Sequence, residues 1–245
     1  MTSLTVPTSR QGPPGIANGG WLAGLLSAAA GDPTCGTVTL RRPTPVATEL
    51  MVVADGLGSA TLFLDGPDGP DGPDLATVSP GLPGPMAPPP VTWDAALTAS
   101  PTYVGLIRHP FPGCLVCGTA RDPSDALCLR PGRLSADVVA SPWIPAAWTD
   151  DGTGHVALPA VWAALDCPSA WAIDDEGRAV VLGRITARIT AAPRVGAQLV
   201  VVGWASERTN RRIAQCGSAV YDEKGTVLAV STSTWFAVNV ETFGR

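Results

Sequence analysis

Three sets of residues have types and spacings that could do chemistry. Asn18-Gly19-Gly20 stands at the head of a small, apolar stretch from Trp21 to Ala30. Read as a helix, that stretch leaves backbone N–H groups of its first turn without intrahelical acceptors. They carry a partial positive charge, and glycines let a ligand come close to them. Asn18 is then either a hydrogen-bonding partner for a ligand or the helix N-cap, a position that Asn favours. Cys114-Leu-Val-Cys117 has the spacing of a metal or redox pair. Zinc would call for a second Cys or His pair, and the only histidines, His109 and His155, do not form one. Redox chemistry would call for a βαβ context, which the sequence lacks. The expectation is therefore no metal, with these cysteines at a strand entry or in the core. The third set is cationic. Arg184 and Arg188 alternate with apolar residues along one strand, and Arg208, Arg211 and Arg212 gather at a turn. Either set could hold phosphates or edge a solvated sheet. His155, after Asp150, Gly152 and Gly154, reads as a residue of an exposed loop.

The elements that must position these residues occur twice. Thr37–Val53 lies without gaps on Thr186–Val202, and apolar residues coincide at Leu40/Ile189, Val46/Val195, Leu50/Leu199, Val52/Val201 and Val53/Val202. A small-residue helix precedes each copy, from Trp21 to Ala30 and from Val161 to Ala172, and a hairpin follows each. A helix followed by antiparallel strands, repeated, predicts two copies of one α+β unit. In the first unit, strands are expected at about 36–42, 49–55, 59–65 and 74–79. In the second, a strand is expected at about 133–140, a helix at 158–172, a linking strand at 179–182, and strands at 184–190, 197–205, 211–222 and 226–238. Pro80–Pro90 holds six prolines and reads as a linker, with a short helix around Trp93–Leu97 after it. The division is thus residues 1–100 and 101–245. The Gly-Pro-Asp period between Asp65 and Asp74 is too short for a triple helix and reads as a solvated loop rather than a calcium site.

Composition narrows the partners. A content of 45% hydrophobic and 15% charged residues supports a sizeable core. A formal charge of −5 argues against nucleic acid and anionic membrane surfaces, while leaving a small anionic ligand open, since local arginines can hold one. The run from Trp21 to Ala30 is about half the ~20 residues that a membrane span needs. The segment before it carries Arg10 alone as a cation and is broken by prolines, unlike a signal peptide. Four of the six cysteines lie in or beside apolar runs, too sparse for a secreted disulfide framework. The expected compartment is the cytoplasm.

Two motifs carry a resemblance. Gly15-Ile-Ala-Asn-Gly-Gly-Trp-Leu-Ala-Gly-Leu-Leu26 is similar to the helix entry of hotdog-fold acyl-CoA thioesterases, where His-Gly-Gly leads into apolar and small residues; here Asn18 replaces the His. Cys114-Leu-Val-Cys-Gly118, Asp122-Pro123 and Leu127-Cys-Leu129 resemble the opening of phenylacetate-pathway-type thioesterases. Spread over both halves, the resemblance implies an α+β double hotdog, each repeat a long antiparallel sheet wrapped around a central helix. It implies an acyl-CoA or other acyl thioester as substrate, and no cofactor beyond the coenzyme A that the substrate brings.

The resemblance also implies roles. Backbone N–H groups of Gly19 and Gly20 would hold the developing oxyanion. The family's acid commonly lies nine residues after the motif's His. In the first half that position is Ser27; in the second it is Asp166, whose helix entry, Ala157-Leu-Pro159, lacks the glycine pair. Nine residues span about 13 Å of helix, so one helix cannot present both groups to one carbonyl. Hotdog dimers share the site across their two-fold axis. The implied arrangement is one composite site, with Gly19, Gly20 and Asn18 from one half and Asp166 from the other, opposite a dead mirror site at Ala157 and Ser27. Trp21, Trp162 and Trp171, near the helices, would partly fill an acyl tunnel or, as is ordinary for aromatics, belong to the core. Ser27 would polarise water or simply pack, and Arg184 and Arg188 would meet the phosphates. Asp166 has a second reading. Pro168 disfavours helix at Cys167, so Asp166 could cap a new segment starting there. As a buried catalytic carboxylate, it would have a raised pKa.

Three functions follow: thioester hydrolysis, non-catalytic binding of an acyl thioester, and hydration of an enoyl thioester. The last family carries an Asp–His pair at the helix entry, which this sequence does not have. A homodimer of double hotdogs, packed sheet to sheet, is an assembly the resemblance allows.

Overall fold

A computed structural model describes residues 1–82, 86–173, 179–208, 212–241 and 243, with backbone alone at 207 and 208. Residues 83–85 of the expected linker, and Arg211, lie outside the described residues. The first half runs β1 (Thr2–Thr5), α1 (Gly19–Ala29), β2 (Cys35–Leu40), β3 (Glu49–Ala54), β4 (Ala60–Leu64) and β5 (Ala76–Ser79). A short α2 (Trp93–Ala99) follows. The second half runs β6 (Gly132–Arg133), β7 (Val138–Trp143), α3 (Leu158–Ala164), α4 (Cys167–Trp171), β8 (Ala179–Ile189), β9 (Leu199–Arg208), β10 (Ile213–Tyr221) and β11 (Val227–Val238).

All strands join one antiparallel sheet in the order β1-β3-β4-β5-β2-β8-β11-β10-β9-β7-β6. The first five of these match β7-β9-β10-β11-β8 read inward from the other side. The halves meet along β2 and β8, where Thr37 pairs with Thr186 and their hydroxyls lie 2.9 Å apart. The ungapped repeat superposes these same two threonines. Each therefore faces its own counterpart, which places a local two-fold axis through the seam.

The helices α1, α3 and α4 lie against the sheet and share one apolar core. Alternation along β11 sends Ala229, Ser231, Ser233 and Trp235 inward, the period-two pattern of a sheet with one covered face. α1 and α3 cross where α1 has glycines. A methyl on Gly24 would sit 2.6 Å from Pro159 Cα, and one on Gly20 would sit 2.6 Å from the Trp162 carbonyl oxygen.

Four expectations change. The linking strand and its successor are one strand, β8: Gly183 marks a bulge opposite Thr234/Trp235, not a break. The expected strand at 133–140 is a small β6–β7 hairpin on the sheet edge. The helix at 158–172 is two, interrupted at Leu165 and Asp166. α2, at the end of the first division, packs on β7 and β9 of the second half, where Ala96 joins Ala140, Val202 and Trp204. Among the described residues, no helix is long and apolar enough to cross a membrane.

Candidate active site

Asp166 sits in the break between α3 and α4, with φ −78° and ψ −87°, outside the helical region. Pro168 explains the break. It has no N–H to offer the Ala164 carbonyl, and its ring crowds that turn. The backbone atoms released there find side chains: Ser169 Oγ donates to the Asp166 carbonyl at 2.8 Å, and Ser231 Oγ to that of Leu165 at 3.4 Å. Asp166 is the residue before α4, yet its side chain makes no cap bond to that helix. It reaches the other half of the molecule. Its Oδ2 accepts from Asn18 Nδ2 at 2.8 Å and from the Gly20 N–H at 2.9 Å.

Of the two readings of Asn18, the helix cap is the one seen, and its amide nitrogen goes to a carboxylate. Its Oδ1 caps α1 by accepting from the Trp21 N–H at 2.9 Å, and its Nδ2 is left for Asp166. The Gly20 N–H, expected to face an oxyanion, donates to the carboxylate instead. Gly19, one residue earlier in the same first turn, borders the neighbouring cavity.

Asp166 is only 2% exposed, and its Oδ1 has no hydrogen-bond partner. Burial pushes its pKa up to about 7; the Gly20 N–H and Asn18 pull the other way, while negative charge at Cys114 adds to the rise. The three thiols nearest it share hydrogen bonds. Cys117 and Cys167 hold the Cys114 thiol well below its ordinary value, and Cys167 is pushed up by the same contacts.

The cavity beside Asp166 has a volume of about 360 Å³. Its walls are mostly apolar, with Leu22, Leu40, Val181, Trp235 and Phe236 around Asn18 and Asp166. A small polar centre in an apolar cavity is the usual form of a small-molecule site. At its edge are Arg41 and Arg42, both ion-paired with Asp74, at 2.6 Å and 3.2 Å.

Other expected site residues lie elsewhere. Trp21 leans on Trp148, with the Arg10 guanidinium 4.9 Å above its ring, and does not line the cavity. Trp162 is fully buried at the helix crossing, its indole N–H on the Pro33 carbonyl. An aromatic beside a site motif is as readily claimed by the core as by a ligand. Ser27 is buried, its hydroxyl unpartnered, away from the cavity. Arg184 and Arg188 are exposed on β8; Arg184 donates to Thr39, and neither borders the cavity. Alternation along a strand placed them correctly on the solvent face, away from the cavity. Sequence reasoning missed Arg41 and Arg42. Their available signal was a pair of adjacent arginines at the end of β2, the strand that closes over the helix entry.

The mirror position offers neither part of such a site. Ala157 gives α3 no side-chain cap, and Ser27 stands where the acid would be.

No protein-family model matches the chain, and no curated protein matches it. Solved structures do. The tesB protein of Mycobacterium avium subspecies paratuberculosis superposes over 97% of this chain and 92% of its own, with a TM-score of 0.61 at 11% identity. A proposed thioesterase from Novosphingobium aromaticivorans covers 97% and 95%, with a TM-score of 0.60 at 18% identity. A protein of unknown function with a hotdog fold, from Alicyclobacillus acidocaldarius, covers 97% and 92%, with a TM-score of 0.58 at 16% identity. The fold is a double hotdog. At these identities the likeness is one of architecture, and it extends over both halves.

Proposed function

We propose that this double hotdog hydrolyses acyl thioesters, acyl-CoA foremost, at one composite site between its repeats. The observation that carries the proposal is the pair of hydrogen bonds from Asn18 and Gly20 of the first repeat to Asp166 Oδ2 of the second. Two donors fix one oxygen and leave Oδ1 unpaired. A carboxylate with a pKa near neutrality suits a general base that takes a proton from attacking water. The first turn of α1 offers the Gly19 N–H at the cavity, and the helix dipole, to the tetrahedral oxyanion. The acyl chain takes the apolar cavity, and Arg41 and Arg42 take the phosphates.

The test is steady-state hydrolysis over short, medium, long and aryl acyl-CoAs, beside Asp166→Asn. Loss of a general base typically costs about 10²–10⁴ in kcat. We expect a loss in that range, with substrate binding retained. Full activity in the variant would remove Asp166 from the chemistry. A folded parent that binds acyl-CoA without turning it over would leave a binding protein.

A further inference from the structure

Proposed hydrolysis makes no use of three buried thiols beside the site. The sulfurs of Cys114, Cys117 and Cys167 all lie within 4.8 Å of one another. The first two come from one tight turn. Cys167 lies about fifty residues on in the sequence and is delivered by the helix break that also sets Asp166. The Cys114 and Cys167 sulfurs are 3.7 Å apart. Disulfide sulfurs sit at about 2.05 Å. A tetrahedron with zinc–sulfur bonds of about 2.3 Å has an edge of about 3.8 Å. We propose that Cys114, Cys117 and Cys167 bind one zinc ion through their thiolates.

The turn is built around a sulfur. The Val116 N–H points to Cys114 Sγ at 3.5 Å, and the Gly118 N–H closes the turn on the Cys114 carbonyl at 3.0 Å. A methyl on Gly118 would lie 2.4 Å from that carbonyl oxygen and 2.5 Å from that of Pro112, so the tight turn needs glycine there. His109 completes the surroundings. Its Nδ1 accepts from the Phe111 N–H at 2.9 Å, which assigns the ring proton to Nε2. Nε2 lies 3.3 Å from Cys117 Sγ, so His109 donates to a sulfur and is not itself a metal ligand. The rings of Tyr103, His109 and Trp171 pack edge to face on one another, and Tyr103 and His109 both hydrogen-bond to Cys117.

N–H donors aimed at sulfur favour thiolates, which soft cations bind. Hard cations such as calcium take oxygen ligands, and none belongs to this set. Pairing any two of the thiols as a disulfide would strand the third, whereas zinc uses all three. Each bound thiol releases its proton to solvent. Three protein ligands leave a fourth position, and since Cys114 and Cys167 border the cavity, water can fill it from there. Zinc here would tie the segment ahead of β6 to α4, and thereby hold Asp166, the residue next to Cys167. Binding does not depend on whether the cavity hydrolyses thioesters.

The experiment is elemental analysis of the full-length protein, purified without a metal-affinity column. One zinc per chain is expected, released by a mercurial thiol reagent and lost in Cys117→Ser and Cys167→Ser. Cobalt(II) titration of the chelator-treated parent should give thiolate-to-cobalt charge-transfer absorption that saturates at one equivalent. This second measurement decides the matter should the serine variants fail to fold. A folded parent with no zinc and no such absorption would overturn the proposal, as would a native Cys114–Cys167 disulfide seen by mass spectrometry.

Discussion

The two oxygens of Asp166 live differently: Oδ2 accepts two hydrogen bonds, and Oδ1 is buried with none. An unpaired carboxylate oxygen destabilises the charged form, and this gives two predictions with one sign. As a base, the charged form is the active one. In chelator-treated protein, where no cation adds its field, kcat/KM should fall as pH drops through about 7 and level off above it. A profile flat across that range would exclude Asp166 as the base. For stability, the folded pKa of about 7 lies above an unfolded value of about 3.9. The folded state therefore holds the proton more tightly. Its stabilising share is full below about pH 4 and is lost as pH rises towards 7. Asp166→Asn, which can still accept from Asn18 and Gly20, should melt above the parent at about pH 8 and level with it near pH 4. Asp166 was legible from its spacing within a family-like motif. The role of Gly20 was legible only in part, because sequence names a donor and not its acceptor. The cysteine cluster was not legible: Cys114 and Cys117 are three positions apart in sequence, while Cys167 reaches them only through the fold.

At the level of elements, the site depends on one helix that breaks and another that approaches it closely. Pro168 made the break readable, since the missing N–H acts on a known carbonyl. That Ser169 and Ser231 would take up the released carbonyls was not readable, because β11 had to be placed first. The crossing of α1 on α3 was hidden in the same way. Gly20 and Gly24 are four residues apart on one helix face, and only the neighbour shows that no methyl fits. Gly24→Ala would push α1 off Pro159 and the Trp162 side chain. Overpacking of this kind costs about 1–3 kcal/mol. Chemical denaturation should show a loss in that range. Hydrolysis should fall as well where the variant is still folded, because α1 carries Asn18 and Gly20 to the carboxylate. Unchanged stability would mean that the helices separate at no cost and that the close crossing does not hold the site.

Across the whole molecule, the repeat was the most legible feature, and Thr37 facing Thr186 shows why. An ungapped repeat keeps its hydrophobic period, so two copies of one strand can pair about an axis. The axis makes two equivalent positions available, and unequal divergence at Ser27 and Asp166 leaves a carboxylate at one of them. What a repeat cannot show is where charge collects, because exposed side chains carry no period. The formal charge of −5 disfavours an anionic substrate at long range. The arginines expected to offset it, Arg184 and Arg188, lie off the cavity, while Arg41 and Arg42 stand at its edge and share Asp74. Half-exposed pairs of this sort are weakly held, so a phosphate can replace Asp74 at little cost. Replacing both arginines by alanine should raise KM for acyl-CoA by roughly tenfold with kcat nearly unchanged, the mark of lost uniform binding. The same double variant should treat a truncated thioester without phosphates as the parent does. Equal damage to both substrates would mean that these arginines shape the cavity through Asp74 and do not read the nucleotide end of the substrate.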